Sequence, residues 1–235
     1  MTRPSPDEQG LAPSVDTTVS VQDRTAQTKR YVDLYFTHFH SHWPILHRAT
    51  FSIPDEPPLL LQAVLMIGLW VSEKASARQA AVDLHQKLGL WGREQRQRPL
   101  PRPESLSLSS LVRVCLRTNV FYYPSMLERY HDVDSMACIW IGVEEMGRLG
   151  LAMYKVCSLR RSGNSDDIEG RLLQLSDLQY PVPDSRLLWD AKSDLELSQL
   201  LQLEAGRERL DARDMANWIS VCGTVLESGS ERWSL

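Results

Sequence analysis

The order of apolar and polar positions divides the chain into helix-length segments separated by Pro-, Gly- and charge-rich breaks. Tyr31, Leu34, Tyr35, His38, Phe39 and His42 recur at steps of three and four, which places them on one face of a helix beginning near Ala26. Pro44 closes that helix, because the residue before a proline is steered out of the α region. A loop carrying Pro54, Pro57 and Pro58 follows, and the two later prolines suit a first helical turn, where an amide donor is dispensable. The run 59–71 is apolar on almost every side and predicts a helix central to the core. A third helix is expected over 76–91, where Ala77, Ala80, Ala81, Leu84, Leu88 and Trp91 hold the helical period.

Three prolines and four arginines between Arg93 and Pro103 break the pattern, so a linker is expected near 93–104. Leu108, Leu111, Val112, Cys115 and Leu116 predict the next helix. The longest one spans 133–157, where Met136, Ile139, Trp140, Val143, Met146, Leu149, Met153 and Tyr154 keep the period over several turns. Residues 160–170 are polar and glycine-containing, and predict a surface loop. Pro181 and Pro183 frame a turn, and 187–203 and 215–226 are two further apolar-periodic segments. Strict alternation is scarce, and Asn-Gly and Asp-Gly hairpin signals are absent. The expected fold is all-α, a compact multi-helix domain over 26–235, without an internal repeat. Residues 1–25, with Pro4, Pro6, Gly10 and Pro13 among polar neighbours, predict a disordered tail, since too little apolar surface is present to offset ordering entropy.

Composition narrows the functional classes. Of 235 residues, 43% are hydrophobic and 24% charged, as in ordinary globular proteins. The balance of 26 Lys+Arg against 30 Asp+Glu gives a net charge of -4, which disfavours a chain that holds DNA by its own overall charge. The longest greasy run, 59–71, is shorter than the ~20 residues a spanning helix needs, and nothing at the start reads as a signal peptide. A soluble intracellular protein without a membrane partner is expected. The four cysteines, Cys115, Cys138, Cys157 and Cys222, form no closely spaced pair that would begin a zinc knuckle. Reduced thiols are the simplest reading.

Candidate chemistry is sparse. Four of the six histidines, His38, His40, His42 and His47, lie within ten residues. His38 and His42 would share a helical face, as in zincin metalloproteases, but the glutamate which that motif needs is replaced by Phe39. They read instead as an aromatic-rich helix surface and loop anchors. Cys115, Cys138 and Cys157 fall at apolar-face positions, where cysteine behaves as a small hydrophobe. No nucleophile elbow or glycine-rich phosphate loop is present. Glu144-Glu145 and Asp166-Asp167 read as solvated acidic pairs. Arg93, Arg96, Arg98 and Arg102 form one basic cluster, a candidate phosphate contact or import signal diluted by Glu94 and glutamines. No catalytic, cofactor-binding or metal-ligating residue is assigned, DNA contacts stay unassigned, and the chain is not expected to be an enzyme.

Two stretches carry a resemblance. The first is YVDLYFTHFHSHWPILHRATF over 31–51, followed by PPLLLQAVLMIGLW. The second is ACIWIGVEEMGRLGLAMYKV over 137–156, with Glu144, Arg148 and Leu149 at its centre, and LSDLQYPVPDSRLLWDA follows later. Together, over about 30–205, they resemble the fungal-specific transcription factor domain, the middle homology region of fungal zinc-cluster regulators. In those domains an aromatic helix, a Pro-Ile-Leu-His turn (here Pro44 to His47) and a Pro-led apolar helix come in this order. Physics gives the same residues a packing role: Phe39, Trp43, Phe51 and Trp70 bring apolar area, and Glu144 and Arg148 form a favourable i,i+4 pair on an exposed helix.

The resemblance implies a transcription regulator, nuclear and also cytoplasmic, controlling a metabolic or secondary-metabolite gene set. Family regulators usually carry an N-terminal zinc cluster or paired fingers, but the first cysteine here is Cys115. The implied partners are therefore a DNA-binding transcription factor or a second copy of the chain, with direct DNA binding disfavoured and a small-molecule effector in view. The alternatives are a metabolite-sensing or dimerisation module with polar residues such as His85 or Gln62 in an apolar pocket, an inactive truncated relative, and a small helical metal enzyme.

Overall fold

The computed structural model describes residues 21–94, 108–163, 172–205 and 215–228. Among them every regular element is helical, and the remaining pairing is two isolated bridges, Tyr122 with Gln179 and Pro181 with Trp218. The helices form two units joined by a loop.

The first unit begins with α1 (Val21–Leu34), five residues ahead of the expected start. It runs into a π-helical turn, Tyr35–Phe39, where the His40 amide donates to the Tyr35 carbonyl at 2.9 Å. The helix thus ends before Pro44 through a wide turn, which brings Tyr35, Phe36 and Phe39 onto the core side together. Then come α2 (Pro58–Trp70) and α3 (Ala75–Glu94), with α2 packed between α1 and α3. Gly68 allows α2 to meet the Tyr31 carbonyl, since any Cβ there would collide with that backbone. The core of this unit is Val32, Tyr35, Phe36, Leu46 and Val64. Contrary to the expectation from its composition, α2 is not the centre of the molecule. Only Val64 and Gly68 are fully buried, while Leu59 is 50% and Trp70 57% exposed.

The second unit is built on α6 (Met136–Gly163), which extends through Arg160, into the stretch expected to be a loop. Ahead of it lie α4 (Leu108–Arg117) and the short α5 (Tyr123–Glu128), which periodicity did not reveal. Its second half packs on these two helices, on a 3-10 turn at Leu175–Asp177 and on α9 (Ile219–Ser228), around Met126, Cys157, Leu173, Leu178 and Ile219. Its first half packs on α7 (Arg186–Trp189) and α8 (Asp194–Ala205), around Trp140, Leu188, Trp189, Leu197 and Leu201.

Two expected single segments are broken. The stretch 187–203 divides at Asp190 to Ser193, where Ser193 Oγ accepts the Glu196 amide at 3.1 Å and Glu196 accepts the Lys192 amide at 2.7 Å, a fresh start for α8. The stretch 215–226 becomes a 3-10 turn, Met215–Asn217, then α9, because Trp218 turns to bridge Pro181. Most of the expected tail, and the expected linker from residue 95 onward, lie outside the described residues, as do Asp166 and Asp167. No described helix is long and apolar enough to cross a membrane.

Candidate functional site

The segment from His40 to Phe51 leaves the first unit and seats against α6 and α7. Within it, the His40 ring nitrogen Nε2 pairs with the Leu46 carbonyl at 2.8 Å, and the ring stacks near Phe36 at 5.2 Å between centroids. His47 is fully buried. Its Nδ1 pairs with Thr50 Oγ1 at 3.0 Å, and its backbone amide donates to Glu145 Oε1 at 2.7 Å, ninety-eight residues away in sequence. The imidazole sits edge-on to Trp140 and Trp189, at 6.2 and 5.3 Å between centroids. Its Nε2 makes no hydrogen bond of ordinary geometry among the described residues, and the Trp189 carbonyl acts on the ring as a dipole favouring its protonated form. Burial outweighs this, and with the His40 and Arg148 charges it pushes the His47 pKa down. A neutral peg results.

Around that peg lies a polar and aromatic network. Arg148 Nε donates to Glu144 Oε1 at 3.0 Å, both side chains buried, and the guanidinium lies 3.9 Å from the Trp189 ring centroid. Glu144 Oε2 accepts the Asp184 amide at 3.3 Å, while Asp184 Oδ2 accepts the Trp140 indole N–H at 2.7 Å. Burial raises the Glu144 carboxyl, and Arg148 pulls it back. Glu145 is pushed up to about 7 by burial, against the pull of the His47 amide and with the Glu56 charge adding to the rise. Lys155 lies 5.0 Å from the Trp43 ring centroid, a further contact between loop and α6.

The histidines that drew attention in the sequence are thus separated. His40 and His47 anchor the loop, whereas His38 and His42 are exposed, with His42 Nδ1 against the His38 carbonyl at 3.1 Å and Ser41 Oγ at 2.9 Å. Among the described residues no three His, Cys, Asp or Glu side chains converge as metal ligands. Glu144, Glu145 and Arg148 do not lie on a solvated face: Glu144 and Arg148 are buried and Glu145 half-buried, because Trp189 and the His47 loop cover that side of α6. Cys138 is exposed rather than on the apolar face, one position past buried Ala137, while Cys115 and Cys157 are buried as expected. Of the basic cluster, Arg93 ends near the close of α3 and Arg96, Arg98 and Arg102 lie outside the described residues.

A second concavity lies on the first unit. It is an open apolar groove of about 310 Å³ lined by Phe39, Met66, Ile67, Trp70, Ala81 and His85 among others. Gln62, expected as its polar companion, does not line it.

The peg and its receptor coincide with the two stretches whose resemblance the sequence carried. The family described as "Fungal specific transcription factor domain" matches residues 32–141. The chain carries a fungal specific transcription factor domain. The match runs from α1 through the His47 loop to the first turns of α6, so Trp140 lies within the domain and Glu144 just beyond its matched end. Over 58 residues the chain is 40% identical to zinc finger protein zas1 of Schizosaccharomyces pombe, covering 25% of this chain and 6% of that protein. Over 65 residues it is 35% identical to zinc finger protein klf1 of the same organism, covering 26% of this chain and 8% of that protein. The matched stretches span less than a tenth of either relative. No solved structure matches the chain.

Proposed function

We propose that the chain is a transcription regulator of the fungal type. The observation that carries this reading is the domain match over 32–141, supported by relatives that are themselves zinc finger proteins. The helical domain acts in the nucleus as an interaction and effector module for a metabolic or secondary-metabolite gene set. With a net charge of -4 and no cysteine before Cys115, these 235 residues offer no zinc-held DNA reader. Sequence-specific contact is supplied by a partner polypeptide, either a DNA-binding factor or a copy carrying such a module. Chromatin occupancy of the tagged protein in its own cells, with recovery of co-purifying proteins, tests this. Promoter peaks alongside a zinc-cluster protein support it; a cytosolic signal without peaks overturns it.

A second reading, a metabolite-sensing module, is favoured by the groove on the first unit. Its apolar walls with His85 among them suit a small apolar metabolite bearing one hydrogen-bonding group. A melting-temperature rise that saturates with such a compound, and is lost in Trp70→Ser, would favour it.

A further inference from the structure

Glu144 and Glu145 are neighbours on α6 with different company. Glu144 has a cation, Arg148, at 3.0 Å. Glu145 turns to the first unit, and no cation is among the groups acting on its carboxyl. What faces it is the His47 amide from the loop, the Tyr35 phenol from the π turn, Tyr130 from the segment after α5 and Glu56 from the loop ahead of α2. The extended helix packing stays within each unit, so the loop carries much of what joins them. A neutral carboxyl can accept the His47 amide without a counter-ion. An ionised one places an uncompensated charge between two phenols and a second carboxylate, in a site largely closed to water.

We propose that the seating of the His47 loop on α6 is a proton-gated joint between the two helical units, closed while the Glu145 carboxyl carries its proton and loosened when that carboxyl ionises. The rise of the Glu145 pKa to about 7 puts the exchange in the physiological range. Because the closed joint holds this proton more tightly than the open one, its stability is full at low pH and declines as pH rises through 7, levelling off above. His40 and His47 act in the opposite sense on the acid side. Burial lowers both, the Arg48 and Arg148 charges add to this at His40, the His40 and Arg148 charges add to it at His47, and Asp190 opposes it at both. A variant that removes only the carboxylate isolates the joint from them.

The test is amide hydrogen exchange over residues 44–50 in the full chain, native and Glu145→Gln, at pH 6 and pH 8 and corrected for intrinsic rates. Loop opening in the native chain relative to the variant is expected to rise about tenfold between the two pH values. A ratio that stays constant overturns the proposal. If Glu145→Gln does not fold, a carboxyl-carbon NMR titration of Glu145 in the native chain decides. A midpoint near 7 supports the joint, and one in the ordinary glutamate range, about 4.3, overturns it.

Discussion

Each unit is organised by one long helix, and α2 and α6 use their side chains in opposite ways. α2 is apolar along nearly all of Pro58–Trp70, yet two residues, Val64 and Gly68, are its fully buried ones. α6 carries Glu144, Glu145, Arg148 and Lys155, yet buries Ala137, Trp140, Leu151, Ala152, Met153 and Cys157 as well as the Glu144–Arg148 pair. The difference lies in what covers each helix. α2 is flanked by α1 and α3 and leaves an open apolar groove beside it, while α6 is wrapped by elements from before and after it in the chain. Apolar content tells how much surface a helix offers for burial. Burial itself depends on how many other segments come to cover it.

Substitutions can break this contrast. The largest effect is expected for Arg148→Ala, which leaves Glu144 buried without its cation and should lower unfolding free energy by about 3–5 kcal/mol in denaturant titration. Leu197→Ala, removing a fully buried side chain beneath the first half of α6, should cost about 2–5 kcal/mol by the same measurement. Gly68→Ala sets a methyl group against the Tyr31 carbonyl and should cost about 1–3 kcal/mol, one of the few sensitive positions on α2. Leu59→Gln, on the exposed side of α2, should change stability by no more than about 0.5 kcal/mol. Were Leu59→Gln to match Leu197→Ala, the contrast between the helices would fail.

The same contrast shows how much the sequence reveals. Helical periodicity placed α1 to α4, α6 and α9 within a few residues, since each presents a regular apolar stripe. It could not tell that Trp70 would stay exposed, because no local pattern records that α2 has neighbours on only some sides. Nor could it bury Glu144 and Arg148, whose cover comes from Trp189 and a loop near residue 47. The break before α8 was legible, since Ser193 followed by Glu196 is a capping-box signature, and it is this pair that caps the helix. As for the site, Pro44 to His47 and the Glu144–Arg148 stretch stand out in the sequence. Their meeting across ninety-eight residues at His47 and Glu145 is a matter of tertiary structure.

The π turn at Tyr35–Phe39 makes chain length, more than residue identity, the sensitive variable in this part of the molecule. A π turn holds one residue more than the α-helix it interrupts. Deleting one residue there would let the backbone relax to ordinary helical bonding, but everything after it would swing by about 100° around the axis. The ring of His40 would leave the Leu46 carbonyl, and the loop would approach α6 with its wrong edge. Aromatic replacements at Phe36 or Phe39 alter packing locally, whereas a single-codon deletion between them would mis-aim the peg that joins the two units.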